Sequence, residues 1–153
     1  MDFFSAGIIA GMIATLVMSL IEIPSWKKWG LYGVFEWHEN QIIWARIFRK
    51  PGNIIHFKGI YFLHFLNGTL GGLAFSFILS FSIVPMTIYP VVIIAIFYGF
   101  VLWIITLVPI HKPITGYSPW NHELGHLPAI LSLFGHLVYG LVLGIITLFL
   151  VTN

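Results

Sequence analysis

Four stretches of this chain stay apolar for twenty or more residues: Phe3–Pro24, Gly59–Phe81, Pro85–Ile110 and Pro128–Val151. Wound as α-helix at about 1.5 Å per residue, each covers the roughly 30 Å hydrocarbon core of a bilayer. In lipid every backbone amide must be satisfied internally, and runs of this length meet that demand as helices. The expected fold is all-α: a polytopic membrane protein, a four-transmembrane-helix bundle forming one membrane domain over residues 1–153. Composition agrees, since 59% of residues are hydrophobic and only 8% charged, where soluble domains carry about 45–50% and about 25%. Such a chain has the lipid bilayer as its partner and no nucleic acid. The first run has no basic segment before it and ends in Glu22 and Pro24, so it reads as a span and not as a cleaved signal.

Charge sets the orientation. All seven basic residues lie in the segments joining spans one to two and three to four, at Lys27, Lys28, Arg46, Arg49, Lys50, Lys58 and Lys112. The positive-inside rule makes that side cytoplasmic, in the inner or plasma membrane, with both termini outside. The histidines, the tryptophans and four of the five acids gather toward the same side, while the outer face offers only Asp2 and the uncharged turn "SIVPMT".

Span two contains His64-x3-Gly68-x3-Gly72, and span four repeats the pattern as His136-x3-Gly140-x3-Gly144. A step of four residues turns only about 40° around a helix, so each triad forms one stripe. The two histidines are expected roughly 8–12 Å below the cytoplasmic surface. A two-helix pseudo-repeat, 1–82 and 85–153, accounts for the pattern. Span one carries its own stripe, Gly7, Gly11, Thr15 and Ser19, with Glu22 in the same arc. Small residues at this spacing let helices approach closely in lipid. Glu22, His64 and His136 are different, because ionisable groups inside a span pair with one another or work. The plainer account of them is a buried Glu–His contact that fixes the bundle.

Residues 34–49, "VFEWHENQIIWARIFR", have the pattern of an interfacial amphipathic helix between spans one and two. Trp37, Ile43, Trp44, Ile47 and Phe48 share one side, and His38, Glu39, Arg46 and Arg49 the other. Such a helix anchors at the membrane surface or folds His38 and Glu39 back over the bundle mouth. The second basic segment contains "NHELGHLP". His122, Glu123 and His126 match H-E-x-x-H, the spacing by which a helix presents two imidazoles to zinc and a glutamate to water. Pro128 opposes that reading: it disfavours helix at Leu127 and would clash with the Leu124 carbonyl. Pro128 suits the first turn of span four instead, which leaves "HELGH" as a turn and makes a zinc peptidase an unfavoured reading.

At "GIIAGMIATLVMSLIEIP", at Pro119-Trp120 and at "FGHLVYG", the chain resembles the YagU-type group of small inner-membrane proteins. The resemblance carries onto Glu22, Pro24, Pro119, Trp120, Gly135 and His136, with His64 a looser match. It implies a four-helix inner-membrane protein loosely associated with acid tolerance, of poorly defined biochemistry, and supplies no reaction.

The leading functional expectation is a cytoplasmic-side His/Glu site for a metal ion or haem. Its metal ligands would come from Glu22, His64, His122, Glu123, His126 and His136, donors that suit zinc, iron or manganese. For haem b, His64 and His136 would supply the axial imidazoles. A second expectation is a non-enzymatic accessory or assembly subunit, packed on larger membrane-complex partners or as a homo-oligomer through its glycine and aromatic faces. A third is proton or small-solute transport through Glu22, His64 and His136, although the outer half adds little beyond Thr15, Thr69 and Ser76 to continue a path.

Overall fold

The computed structural model describes residues 1–153 and is all-helical. Helix α1 spans Phe3–Trp29 and ends in a 3-10 turn over Gly30–Gly33; α2 spans Phe35–Ile47, and α3 spans Phe57–Ser80. Helix α4 runs from Ile88 to Thr115, and α5 spans Leu127–Thr152. All but α2 are long and apolar enough to cross a membrane. Their outward faces carry exposed leucine, isoleucine and phenylalanine, the surface a bilayer requires.

Local chemistry explains where the helices start and stop. Asp2 caps α1, its carboxylate accepting the Ser5 N–H at 2.9 Å. Lys27 and Lys28 occupy the last turn, where cations oppose the helix dipole. Helix α1 therefore outruns the expected end at Pro24 by more than a turn. The ring costs α1 one backbone hydrogen bond, and the helix continues through it. Pro109 acts similarly in α4. Residues Thr106–His111 widen into a π-helical turn, which absorbs the missing N–H and the ring before α-helix resumes over Lys112–Thr115. Helix α5 begins at Leu127 with Pro128 in its first turn.

The helices pack in the order α3, α1, α5, α4. Two contacts are built alike. A Cβ on Gly11 would stand 2.6 Å from the Gly68 carbonyl oxygen and 3.1 Å from the Gly72 Cα, so α1 and α3 touch backbone to backbone. On the other side Gly140 lies against the Ala95 carbonyl and Gly99 against that of His136, bringing α4 equally close to α5. The glycines of the two His-x3-Gly-x3-Gly stripes thus serve equivalent interfaces. Helices α1 and α5 join the two pairs, with Met18 against Gly135. Helices α3 and α4 do not pack along each other. The bundle axis is filled by Ala10, Ala14, Met18, Phe75, Leu79, Val91, Ala95, Tyr139 and Leu143.

Helix α2 occupies the expected sequence but does not lie flat on the surface. Phe35, Trp37, Glu39, Asn40 and Gln41 are buried, while Ile47 and Phe48 are exposed. Its first turns insert among α3, α4 and α5, because Glu36 and Glu39 find imidazoles there and a polar face is cheaper inside the bundle than in lipid. Gln41 fastens the following loop by donating to the Ile54 carbonyl at 2.7 Å and accepting the His56 N–H at 2.9 Å. Arg46 donates to the Ile114 carbonyl at 2.8 Å.

Gly11→Leu should force α1 and α3 apart and destabilise the protein by at least about 1–3 kcal/mol, as overpacking does. The lipid-facing change Leu70→Ala should be nearly neutral, and thermal unfolding in detergent micelles compares the two.

Candidate functional site

Three imidazole–carboxylate pairs lie at the end of the bundle that carries the basic residues. Glu22 of α1 faces His64 of α3, with Nε2 and Oε2 3.6 Å apart. Glu36 of α2 faces His136 of α5, with Nδ1 and Oε1 3.5 Å apart. Glu39 of α2 is hydrogen-bonded to His111 of α4 at 2.7 Å. All three imidazoles are buried.

The pairs differ in how fully they are satisfied. His136 Nδ1 lies 2.9 Å from the Ser132 carbonyl, which only accepts, so that nitrogen carries the proton. Ser132 returns along the same turn to donate its hydroxyl to Glu36. The Glu22–His64 pair is looser. Its separation is too long for a hydrogen bond, and both Glu22 oxygens, His64 Nε2 and the nearby Trp37 Nε1 are buried without partners.

Between these groups lies a chamber of about 130 Å³. Helix α2 supplies Glu36, Glu39 and Asn40, and α3 supplies His64, Asn67, Gly68 and Gly71. Thr15 and Met18 of α1, Leu102 and Thr106 of α4, and His136 and Tyr139 of α5 complete the wall. Small-molecule pockets usually measure about 300–1,000 Å³. An engineered cavity of about 150 Å³ holds one benzene. The chamber is therefore sized for a single ring.

The H-E-x-x-H residues lie elsewhere. His122, Glu123 and His126 fall in turns and not on a helix, with Gly125 in the left-handed region at φ +63°. His122 Nδ1 accepts the Leu124 N–H at 3.1 Å, and its ring lies 5.4 Å from that of Phe35, centre to centre. The other side of this cluster is His111, whose ring is 4.2 Å from Phe35. His126 packs toward Trp120. None of the three lines the chamber. The six expected metal ligands thus fall into two places, Glu22, His64 and His136 within the bundle and His122, Glu123 and His126 above it. No three His, Asp or Glu side chains converge as a metal-holding group.

Sequence reasoning found Glu22, His64 and His136, offered Glu39 as an alternative folded back over the bundle mouth, and missed Glu36, Asn40, His111 and Ser132. A signal existed on α2, where Glu36, Glu39 and Asn40 share one helical face at i, i+3 and i+4. The partner of Glu39, 72 residues away in the chain, had none.

The outer layer of the site is electrostatically tuned. Burial, reinforced by the charges of His111 and His122, lowers the His38 imidazole to about 4. Burial raises the Glu39 carboxyl against the opposing hydrogen bond from His111. His122 is lowered by burial and then by His111.

No protein-family model, curated protein or solved structure matches the chain. The resemblance to the YagU-type group rests on the quoted motifs alone.

Between about pH 6.5 and about pH 4 the unfolded chain takes up a proton at His38 that the folded chain refuses. His38 therefore costs stability as the pH falls through that window. A His38→Gln protein should gain melting temperature relative to wild type from about pH 7 to about pH 4, measured in detergent. A difference that stays constant with pH would refute this.

Proposed function

We propose that the chain is a multi-pass plasma-membrane protein that holds a small hydrogen-bonding ligand in the chamber beneath α2, on the cytoplasmic side. The observation that carries this reading is the gathering of Glu36, Glu39, Asn40, His64 and His136 around one cavity in an otherwise apolar bundle. Ionisable groups at membrane depth are expensive and persist where they pair or act. Pairing alone leaves a cavity unexplained, together with the partnerless Glu22 and His64 atoms beside it.

Binding is favoured over transport because the apolar cluster from Ala10 to Leu143 fills the axis between the chamber and the far end. A relay that begins at Glu22 and His64 meets no continuing polar path there.

A divalent ion, zinc, iron or manganese, is the second reading, and the Glu22–His64 geometry favours it. Two ligands about 2.0–2.1 Å from a tetrahedral zinc stand about 3.4 Å apart. His64 Nε2 and Glu22 Oε2 are 3.6 Å apart. Glu36 would complete such a site by turning away from Ser132.

Native mass spectrometry and elemental analysis of the protein purified in lipid nanodiscs separate the readings. The first predicts one small organic species per chain, lost in Glu36→Gln and kept in the lipid-facing Ile93→Ala. One equivalent of a transition metal supports the second. A preparation free of both, in a folded protein, overturns both.

The cytoplasmic assignment rests on the basic residues, all on the α2 side, and the chain's lack of cysteine makes it easy to check. In intact cells Ser82→Cys should react with a membrane-impermeant maleimide. Asn121→Cys should react only after permeabilisation.

A further inference from the structure

We infer that the chamber is loaded sideways from the bilayer, through a window between α3 and α4, and that its occupant is an uncharged lipid-soluble molecule with a single hydroxylated ring as its head. This deepens the binding reading and rests on it.

The window follows from the packing. Helices α3 and α4 are each held by a glycine interface on one side and do not pack along each other on the other. One hydrogen bond crosses that gap, from Tyr98 of α4, and Tyr139 of α5 reaches α3 beside it. Tyr98 donates to the Gly71 carbonyl at 2.8 Å, and Tyr139 to that of Gly68 at 2.6 Å. These bonds close the chamber toward the far end of the bundle, and Glu39 and Asn40 of α2 close it toward the charged end. Asn67 lies between those limits. It lines the chamber and is at the same time exposed, on a helix that begins at Phe57. Ten residues of helix place it about 15 Å along α3, at hydrocarbon depth. An exposed amide there belongs at an opening. On the opposite side the chamber reaches Leu102 and Thr106, where α4 enters its π-helical turn.

The head group follows from charge and size. The chamber wall has two carboxylates, two histidines and two asparagines, and no lysine or arginine. An anionic phosphate or carboxylate head would meet unbalanced negative charge. A hydroxyl donates to a carboxylate and accepts from an imidazole or amide, so it matches what the wall offers. At about 130 Å³ the space suits one six-membered ring. The window then leaves an apolar tail in the groove between α3 and α4, in contact with lipid.

Binding of decyl-hydroquinone to wild-type protein in nanodiscs, followed by thermal shift and equilibrium titration, tests this. Its dimethyl ether, which lacks the donors, and decyl phosphate, which is anionic, should each bind about tenfold more weakly or not at all. Hydroquinone without the tail should also bind about tenfold more weakly. The chain lacks cysteine, so Asn67→Cys gives a clean reporter. Its reaction with a lipid-soluble maleimide in vesicles should be slowed by decyl-hydroquinone and not by the ether. Asn67→Leu, at an exposed position, should fold normally and bind more weakly.

Equal binding of tailless hydroquinone overturns loading from the membrane. Equal binding of the ether or the phosphate overturns the head-group assignment. No binding of any probe by folded protein overturns the inference as a whole, while the co-purification result decides the binding reading separately.

Discussion

The insertion of α2 depends on the cost of carboxylates in lipid. Glu36 and Glu39 stand one turn apart on the inserted face of the helix, and at the depth of the bundle mouth each must find a proton or a cation-capable partner. His136 and His111 provide it, and Ser132 adds a hydroxyl to Glu36. Once those contacts form, Trp37 is buried completely and the chamber has a roof. Removing one partner of such a pair leaves a buried charge uncompensated, which costs far more than the pair's net contribution.

The glycine interfaces make this arrangement possible. Without a hydrophobic force between helices in lipid, the two close contacts at Gly11–Gly72 and Ala95–Gly140 supply the packing that holds the spans together. They also consume one face of α3 and of α4, which leaves those helices apart from each other and the polar space between them unfilled.

The spans, their approximate ends and the turn at "HELGH" could be read from the chain, because length, hydropathy and Pro128 are local signals. The approach of Glu22 to His64 was also legible, since both are costly groups on stripes of small residues. The inward turn of α2 stood only as the less favoured of two readings. Its apolar side suggested a surface anchor, and nothing local distinguishes an acid facing water from one facing His111, 72 residues on. The continuation of α1 through Pro24 and of α4 beyond Ile110 was missed for a related reason. A proline's local penalty is legible in sequence, but the π turn that accommodates Pro109 is not.

Helix α2 draws its imidazole partners from α4 and α5, yet its loop is fastened through Gln41 and its Trp44 lies on Gly59 of α3. It thus acts as a cross-brace between two helix pairs that otherwise meet where α1 runs along α5 and where Tyr98 and Tyr139 reach α3. Any motion that spreads the pairs must break the Glu36 and Glu39 contacts or drag the 48–56 loop with them. The stiffness of the bundle mouth is set by a segment that does not itself cross the membrane.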